Sequence, residues 1–100
     1  MTTLLPSDTT LIGECLSLVV DGTEFRGEFH SVMGMQVEEA REIARAWPNV
    51  GQLDGDTVAL FVINALVNLW SYPIGDAMKA RLPASRAELK ALLDRWRSAH

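Results

Sequence analysis

The sequence is poor in the residues that bind metals or form covalent intermediates. It contains one cysteine and two histidines among 100 residues. A single cysteine excludes an internal disulfide, and zinc ordinarily takes four Cys, His or carboxylate ligands. We therefore expect no metal and no other cofactor. The lone thiol also favours a reducing, cytoplasmic location.

Patterns that serve catalysis or phosphate binding are equally scarce. The seven glycines are scattered along the chain, so no glycine-rich loop is set to cradle a phosphate. Asp54 and Asp56 stand too close together for a calcium loop, which spreads its ligands over about twelve residues. The one thiol–imidazole combination is Cys15 with His30, and Cys15 falls among apolar residues, where a thiol is ordinarily inert. The prediction is a protein that is not an enzyme.

No long apolar run is present, and no Lys/Arg-flanked leader opens the sequence, so we expect neither a signal peptide nor a membrane span. The most apolar segment, Thr57 to Trp70, would measure only about 21 Å as a helix. It also contains Asn64 and Asn68, which would be costly in a bilayer. With 48% apolar and 22% charged residues, the composition is that of a globular protein, and residues 1–100 are expected to form a single domain.

The spacing of apolar residues predicts an all-α protein. Helical periodicity recurs in residues 7–22, 25–33, 37–47, 57–71 and 83–96. The segment Val58–Trp70 is apolar nearly all round, which is typical of a central helix. We expect a compact bundle of four to five helices around it. The alternative is an α+β fold with an N-terminal β-hairpin at residues 10–33, because Asp21-Gly22 suits a hairpin turn.

Several residues favour helix boundaries at these positions. Ser7 or Asp8 can cap the first helix, and Asp54 or Asp56 can cap the apolar one. Gly34 is suited to end the second helix in the left-handed conformation, and Pro48 stops the third. Ser85 and Glu88 have the spacing of a capping box.

Charge is distributed unevenly along the chain. Residues 1–56 carry ten acidic and three basic residues, a balance of −7, whereas residues 57–100 carry three acidic and six basic residues, a balance of +3. The asymmetry fits simple solvation of helix surfaces, attraction between the two halves, or an acidic half that faces a basic partner.

These features favour a small acidic, soluble protein-binding module without catalytic activity. Its partner would be another protein with a basic surface, and an immunity or antitoxin-type toxin inhibitor is one concrete form. Carboxylates would steer the encounter, while Trp47 with Val50 would supply an apolar centre. The predicted partner-binding residues are Glu28, Glu38, Glu39, Glu42, Trp47, Asp54 and Asp56.

The alternative function is a nucleic-acid-binding regulator. Helix 25–33, a glycine turn and helix 37–47 have the layout of a helix-turn-helix. The would-be recognition helix carries Glu38, Glu39 and Glu42 against two arginines, and phosphates would be repelled by that surface. A nucleic-acid partner is therefore disfavoured.

Asn64 and Asn68 interrupt the apolar segment, and buried amides need hydrogen-bond partners. One interpretation is a polar contact with the backbone of a neighbouring helix. The other is a polar contact at a protein interface or in the lining of a small pocket. The sequence leaves the oligomeric state open, a homodimer included.

Overall fold

Helices account for all regular secondary structure in the computed structural model over residues 5–21, 29, 33–71 and 76–99, which are the residues the structure describes. The radius of gyration is 12.5 Å, close to the value of about 13 Å for a compact 100-residue chain. The all-α prediction is confirmed, and a helical bundle fits the structure. The helices are α1 (Pro6–Asp21), α2 (Val37–Ala46), α3 (Gly55–Ser71), α4 (Asp76–Lys79) and α5 (Arg86–Ala99).

Helix α1 replaces the first strand of the alternative hairpin. Pro6 occupies the first helical position, where its missing N–H costs nothing. The carboxylate of Asp8 accepts a hydrogen bond from the Leu5 N–H at 3.1 Å and so satisfies a free donor of the first turn. The hairpin is therefore wrong for residues 10–21, because these residues satisfy their backbone within a helix. Most of its second half lies outside the described residues.

Helix α2 has the amphipathic pattern that the sequence predicts. Ala40 and Ile43 are buried, whereas Glu38, Glu39 and Glu42 are exposed. The helix ends at Ala46, and the Trp47 N–H closes its last turn on the Ile43 carbonyl at 2.9 Å before Pro48.

The turn before α2 contains the predicted glycine stop. Phe29 and Met33 are helical and buried, and the rest of the predicted helix 25–33 lies outside the described residues. Gly34 has a φ of 76°, in the left-handed region that favours glycine. A Cβ there would also lie 3.3 Å from the Asn64 side chain. The turn thus packs closely against α3.

The caps of α3 and α5 are formed by predicted residues. One carboxylate oxygen of Asp54 accepts hydrogen bonds from the N–H and the hydroxyl of Thr57, at 2.9 and 2.6 Å. Asp56 lies in the first turn and is exposed. The Ser85 hydroxyl accepts the Glu88 N–H at 3.1 Å, and Glu88 accepts the Ser85 N–H at 3.4 Å. The capping box is confirmed.

The apolar faces of the helices form one buried core. Helix α3 packs against α1 and α5, and α1 packs against α2. Each large apolar side chain that is removed from water stabilises the fold by about 1.5–3 kcal/mol. In the described part of the chain, no helix combines the length and the apolar character needed to cross a membrane. The residues of α3 in this core are Val58, Phe61, Val62, Ala65, Leu66 and Leu69.

An ion pair joins the first helix to the last. Both Oδ atoms of Asp8 accept hydrogen bonds from the Arg95 guanidinium, at 2.8 and 3.0 Å. The Asp8 side chain is 6% exposed and that of Arg95 36%. Hydrogen bonding to Arg95 holds the pKa of Asp8 below its usual value of 3.8, although burial opposes the shift. One acidic residue of the N-terminal half is therefore matched by a basic residue of the C-terminal half.

Candidate functional site

An open apolar groove lies where the loop after α2 meets the start of α3. Its volume is about 580 Å³. Trp47 and Val50 line the groove from the loop side, Val58 and Ala59 line it from α3, and Trp96 of α5 forms part of its wall. We call this feature the Trp groove. Trp47 and Val50 are the two residues that the sequence predicts as the apolar centre of a binding surface.

Trp47 is fixed in the groove by contacts with α1. Its indole Nε1 donates a hydrogen bond to the Thr9 carbonyl at 2.8 Å. A Cβ placed on Gly13 would lie only 2.8 Å from Cδ1 of the same ring, so only a glycine leaves room for the indole there. The ring centroid of Trp47 lies 6.2 Å from that of Trp96, with the planes tilted by 50°, a favourable geometry for aromatic pairs. The groove wall is therefore held from α1 and α5 at once.

A smaller pocket beside the Trp groove is acidic. Its volume is about 130 Å³, and it is lined by Glu39 and Glu42 of α2 and by Asp54 before α3. We call it the acidic pocket. Leu53 and Val58 line both the acidic pocket and the Trp groove, so the two features share a wall. The structure thus brings four of the predicted partner-binding residues, Trp47 included, to one surface.

The carboxylates of the acidic pocket differ in their hydrogen bonding. Hydrogen bonds from the Thr57 hydroxyl and N–H hold the pKa of Asp54 below its usual value. Glu39 and Glu42 are exposed, and no ion pair engages either of them within the part of the chain that the structure describes. Within these described residues, the negative charge of both side chains is not neutralised by an ion pair.

The charges of α2 are separated onto two edges of the helix. Glu39 and Glu42 border the acidic pocket. Arg41 and Arg45 line a different pocket on the α1 side, where Asp21 also lies. The edge with Glu39 and Glu42 therefore borders the acidic pocket next to the Trp groove, although the helix as a whole carries both signs.

The remaining predicted partner-binding residues lie apart from this surface or outside the described residues. Glu38 is exposed on α2 and lines neither the Trp groove nor the acidic pocket, and the same holds for Asp56 at the start of α3. Glu28 lies outside the described residues, as does His30. Cys15 is fully buried, and burial raises the pKa of its thiol to about 12.

Asn64 and Asn68 make backbone contacts from the half-buried side of α3. The Asn64 amide donates to the Met33 carbonyl at 2.8 Å, across the turn at Gly34. The Asn68 amide donates to the Asn64 carbonyl of its own helix at 2.7 Å.

Sequence reasoning missed three contributors to the site. Gly13 has no side chain to mark it as a packing residue in the sequence, yet the Trp47 ring lies against it. Trp96 is a buried residue of the last helix, and its ring also borders the groove. Leu53 sits in a polar loop, and its apolar character among polar neighbours is the one signal that could have identified it.

The basic residues of α5 are partly occupied within the chain. Arg95 is bound by Asp8, and the Lys90 ammonium lies 3.3 Å from Asp94 and 5.6 Å from the centre of the Trp70 ring. Arg86 also has a contact. These side chains are less available to an external phosphate than the sequence alone indicates.

Over the described residues, no group of three or more His, Cys, Asp or Glu side chains is placed to hold a metal ion. No protein-family model matches the chain, and no match was found among curated proteins or solved structures.

Proposed function

We propose that this protein is a small acidic binding module that docks on a basic surface of another protein and has no catalytic activity of its own. The observation that carries the proposal is the shared wall of the Trp groove and the acidic pocket. Protein interfaces combine a desolvated apolar centre with a polar rim. Here an apolar groove with two tryptophans lies directly beside Glu39 and Glu42, which form no ion pair among the described residues.

Each part of this surface has a separate role in the proposal. Exposed Glu38, Glu39 and Glu42 raise the rate of encounter with a basic partner and disfavour acidic ones. The Trp groove supplies the contacts that slow dissociation, because tryptophans and the aliphatic groups around them dominate the energetics of many interfaces. Trp47 is already held in place by Thr9, so little conformational freedom is lost on binding.

An immunity or antitoxin-type inhibitor is the concrete form of the proposal. Its support is the small size of the chain, its net charge of −4 and the acidic edge beside the groove. In this proposal the protein acts in the cytoplasm, and α3 is the central helix of a four-to-five-helix bundle. The contacts of α3 with both α1 and α5 support that placement.

A pull-down from the native cell tests the proposal. The wild type is compared with a Glu38/Glu39/Glu42→Lys variant and with a Glu14/Asp21/Asp76→Lys control, which changes the net charge equally at exposed sites away from the groove. Circular dichroism establishes that all three proteins are folded. We expect the wild type and the control to recover the same partner, and the α2 variant to lose it.

Equal recovery by all three proteins would contradict the acidic-surface proposal. A gel shift at low salt provides the comparison with the alternative function. Saturable DNA binding that weakens steeply as salt rises would favour the helix-turn-helix regulator instead.

A further inference from the structure

We infer that the Trp groove and the acidic pocket receive one short segment of the partner, in which a Lys or Arg residue lies close to a large apolar residue. The inference rests on the proposed function and specifies the chemistry of its ligand. The basic side chain enters the acidic pocket between α2 and the start of α3. The apolar side chain enters the Trp groove across the shared wall of Leu53 and Val58.

The dimensions of the Trp groove fit side chains of a bound segment. Its volume of about 580 Å³ falls within the range of about 300–1,000 Å³ that is usual for ligand pockets. Trp96 is 4% exposed and Val58 5%, so these two residues form the buried part of the groove wall. Pro48 and Gly51, which also line the groove, are exposed to solvent. An apolar side chain that enters this groove replaces water on an aromatic and aliphatic wall.

Charge complementarity selects a basic neighbour for that apolar side chain. Glu39 and Glu42 lie beside the groove without an ion pair among the described residues. An acidic segment would bring like charges together, which is costly at a partly desolvated site. A Lys or Arg instead gains charge-assisted hydrogen bonds in the pocket.

A second copy of this chain does not present such a segment on its described surface. The exposed large hydrophobic residues found there are Leu5 and Leu60. Leu60 has no basic residue within four positions in the sequence, and Leu5 is followed by Pro6, Ser7 and Asp8. Neither residue supplies such a segment, and we take its source to be another protein, in line with the proposed function.

Selection from a phage-displayed library of random linear peptides tests the inference without knowledge of the partner. The immobilised bait is the full chain. We expect the enriched peptides to share a Lys or Arg within one helical turn of a Trp, Phe, Leu or Met. The affinity of one enriched peptide, synthesised with a fluorescent label, is then measured by fluorescence anisotropy.

Paired variants test each half of the site. Glu39→Gln/Glu42→Gln should weaken binding of the labelled peptide about tenfold, the effect of losing about 1.4 kcal/mol. Glu14→Gln/Asp76→Asn is the matched control, because it removes two exposed charges that line neither the Trp groove nor the acidic pocket, and we expect an affinity within about twofold of the wild type. Ala59→Gln fills the Trp groove without a change in charge and should weaken binding of the labelled peptide at least as strongly as Glu39→Gln/Glu42→Gln. Ala91→Gln, at an exposed position of α5 outside the groove, should leave the affinity unchanged.

The outcomes separate this inference from the proposed function. Enriched peptides without a basic residue, or peptides that bind the Glu39/Glu42 and Ala59 variants as tightly as the wild type, would overturn the inference. So would a library that yields no specific binder. The pull-down result is independent, because a partner that depends on Glu38, Glu39 and Glu42 without entering the groove would still support an acidic binding module.

Discussion

Trp47 connects three separate parts of the chain. It follows α2 directly, it hydrogen-bonds to the Thr9 carbonyl of α1, and its ring lies near Trp96 of α5. The same ring lines the proposed binding groove. A residue with these contacts couples the packing of the helices to the shape of the groove, so changes near it are expected to affect both.

Gly13→Ala should lower the free energy of unfolding by about 1 kcal/mol. Alanine gains about 1 kcal/mol of helix propensity, but its Cβ would lie 2.8 Å from the Trp47 ring, and overpacking of this kind costs about 1–3 kcal/mol. Urea unfolding measures the difference. Gly55→Ala is the control, since no atom lies within 4 Å of the added Cβ, and it should leave the stability equal or higher. A Gly13→Ala protein as stable as the control would show that Trp47 is not held against α1.

Cys15 illustrates a residue whose chemistry is set by burial. It has no exposed surface, and burial raises the pKa of its thiol to about 12. Because the thiolate is the reactive form, the side chain behaves as a small apolar residue of the α1 core.

At the scale of elements, the turn between the helical residue Met33 and α2 depends on α3. Gly34 reverses the chain with a left-handed conformation, and the Asn64 amide satisfies the Met33 carbonyl at 2.8 Å. Carbonyls in the last turn of a helix lack intrahelical partners, so a side chain from another helix serves as the cap. The asparagine therefore fixes the position of this turn on α3.

Asn64→Ala should lower the free energy of unfolding by about 1–2 kcal/mol. The loss of the amide leaves a carbonyl unpaired at a cost of about 1–3 kcal/mol, which the better helix propensity of alanine offsets only in part. Ser71→Ala is the matched control, because Ser71 is exposed and, among the described residues, its hydroxyl donates to the Val67 carbonyl of its own helix. It should change stability by no more than about 0.5 kcal/mol. Equal denaturation midpoints for the two variants would argue against a capping role for Asn64.

At the scale of the whole molecule, the ion pair of Asp8 with Arg95 ties the beginning of the described chain to its end. Asp8 also accepts the Leu5 N–H, so one carboxylate both caps α1 and docks α5 against it. The exposed ion pair of Lys90 with Asp94 lies within one helix, although the Lys90 ammonium also lies 5.6 Å from the centre of the Trp70 ring on α3.

Asp8→Asn should destabilise the protein by about 1–2 kcal/mol at neutral pH, since charge-assisted hydrogen bonds contribute more than neutral ones but Arg95 is partly exposed. The pKa of Asp8 is lower in the folded chain than its usual 3.8. As pH falls, the Asp8 carboxyl is therefore protonated at a higher pH in the unfolded chain than in the folded chain. The stabilisation is complete well above pH 3.8 and is lost as pH decreases through the lower pKa of the folded state.

Urea unfolding across the acid range checks this prediction. The difference between wild type and Asp8→Asn should narrow as pH falls below about 4, the usual range of an aspartate. Asp94→Asn removes an exposed pair on the same helix as Arg95 and should cost no more than about 0.5 kcal/mol at neutral pH. A difference for Asp8→Asn that stays constant down to the lowest pH would contradict the assignment of the stabilisation to the ionised carboxylate.

The sequence by itself determined α1, α2, α3 and α5 and most of their described ends. The apolar spacing in α2 and α3, the Asp54 cap and the Ser85–Glu88 capping box all involve residues within about one turn of each other, and such relations depend on helix geometry alone. For the same reason, the exposure of Glu38, Glu39 and Glu42 follows from their positions on α2.

Only the tertiary structure decided which of these residues meet. Thr9 and Trp47 are 38 positions apart, and Asp8 and Arg95 are 87 apart. Such contacts depend on how the helices pack against one another, which the periodicity of a single helix does not encode. The position of the acidic pocket beside the Trp groove has the same origin, because residues from α2, the following loop, α3 and α5 form this surface only after the helices have packed together.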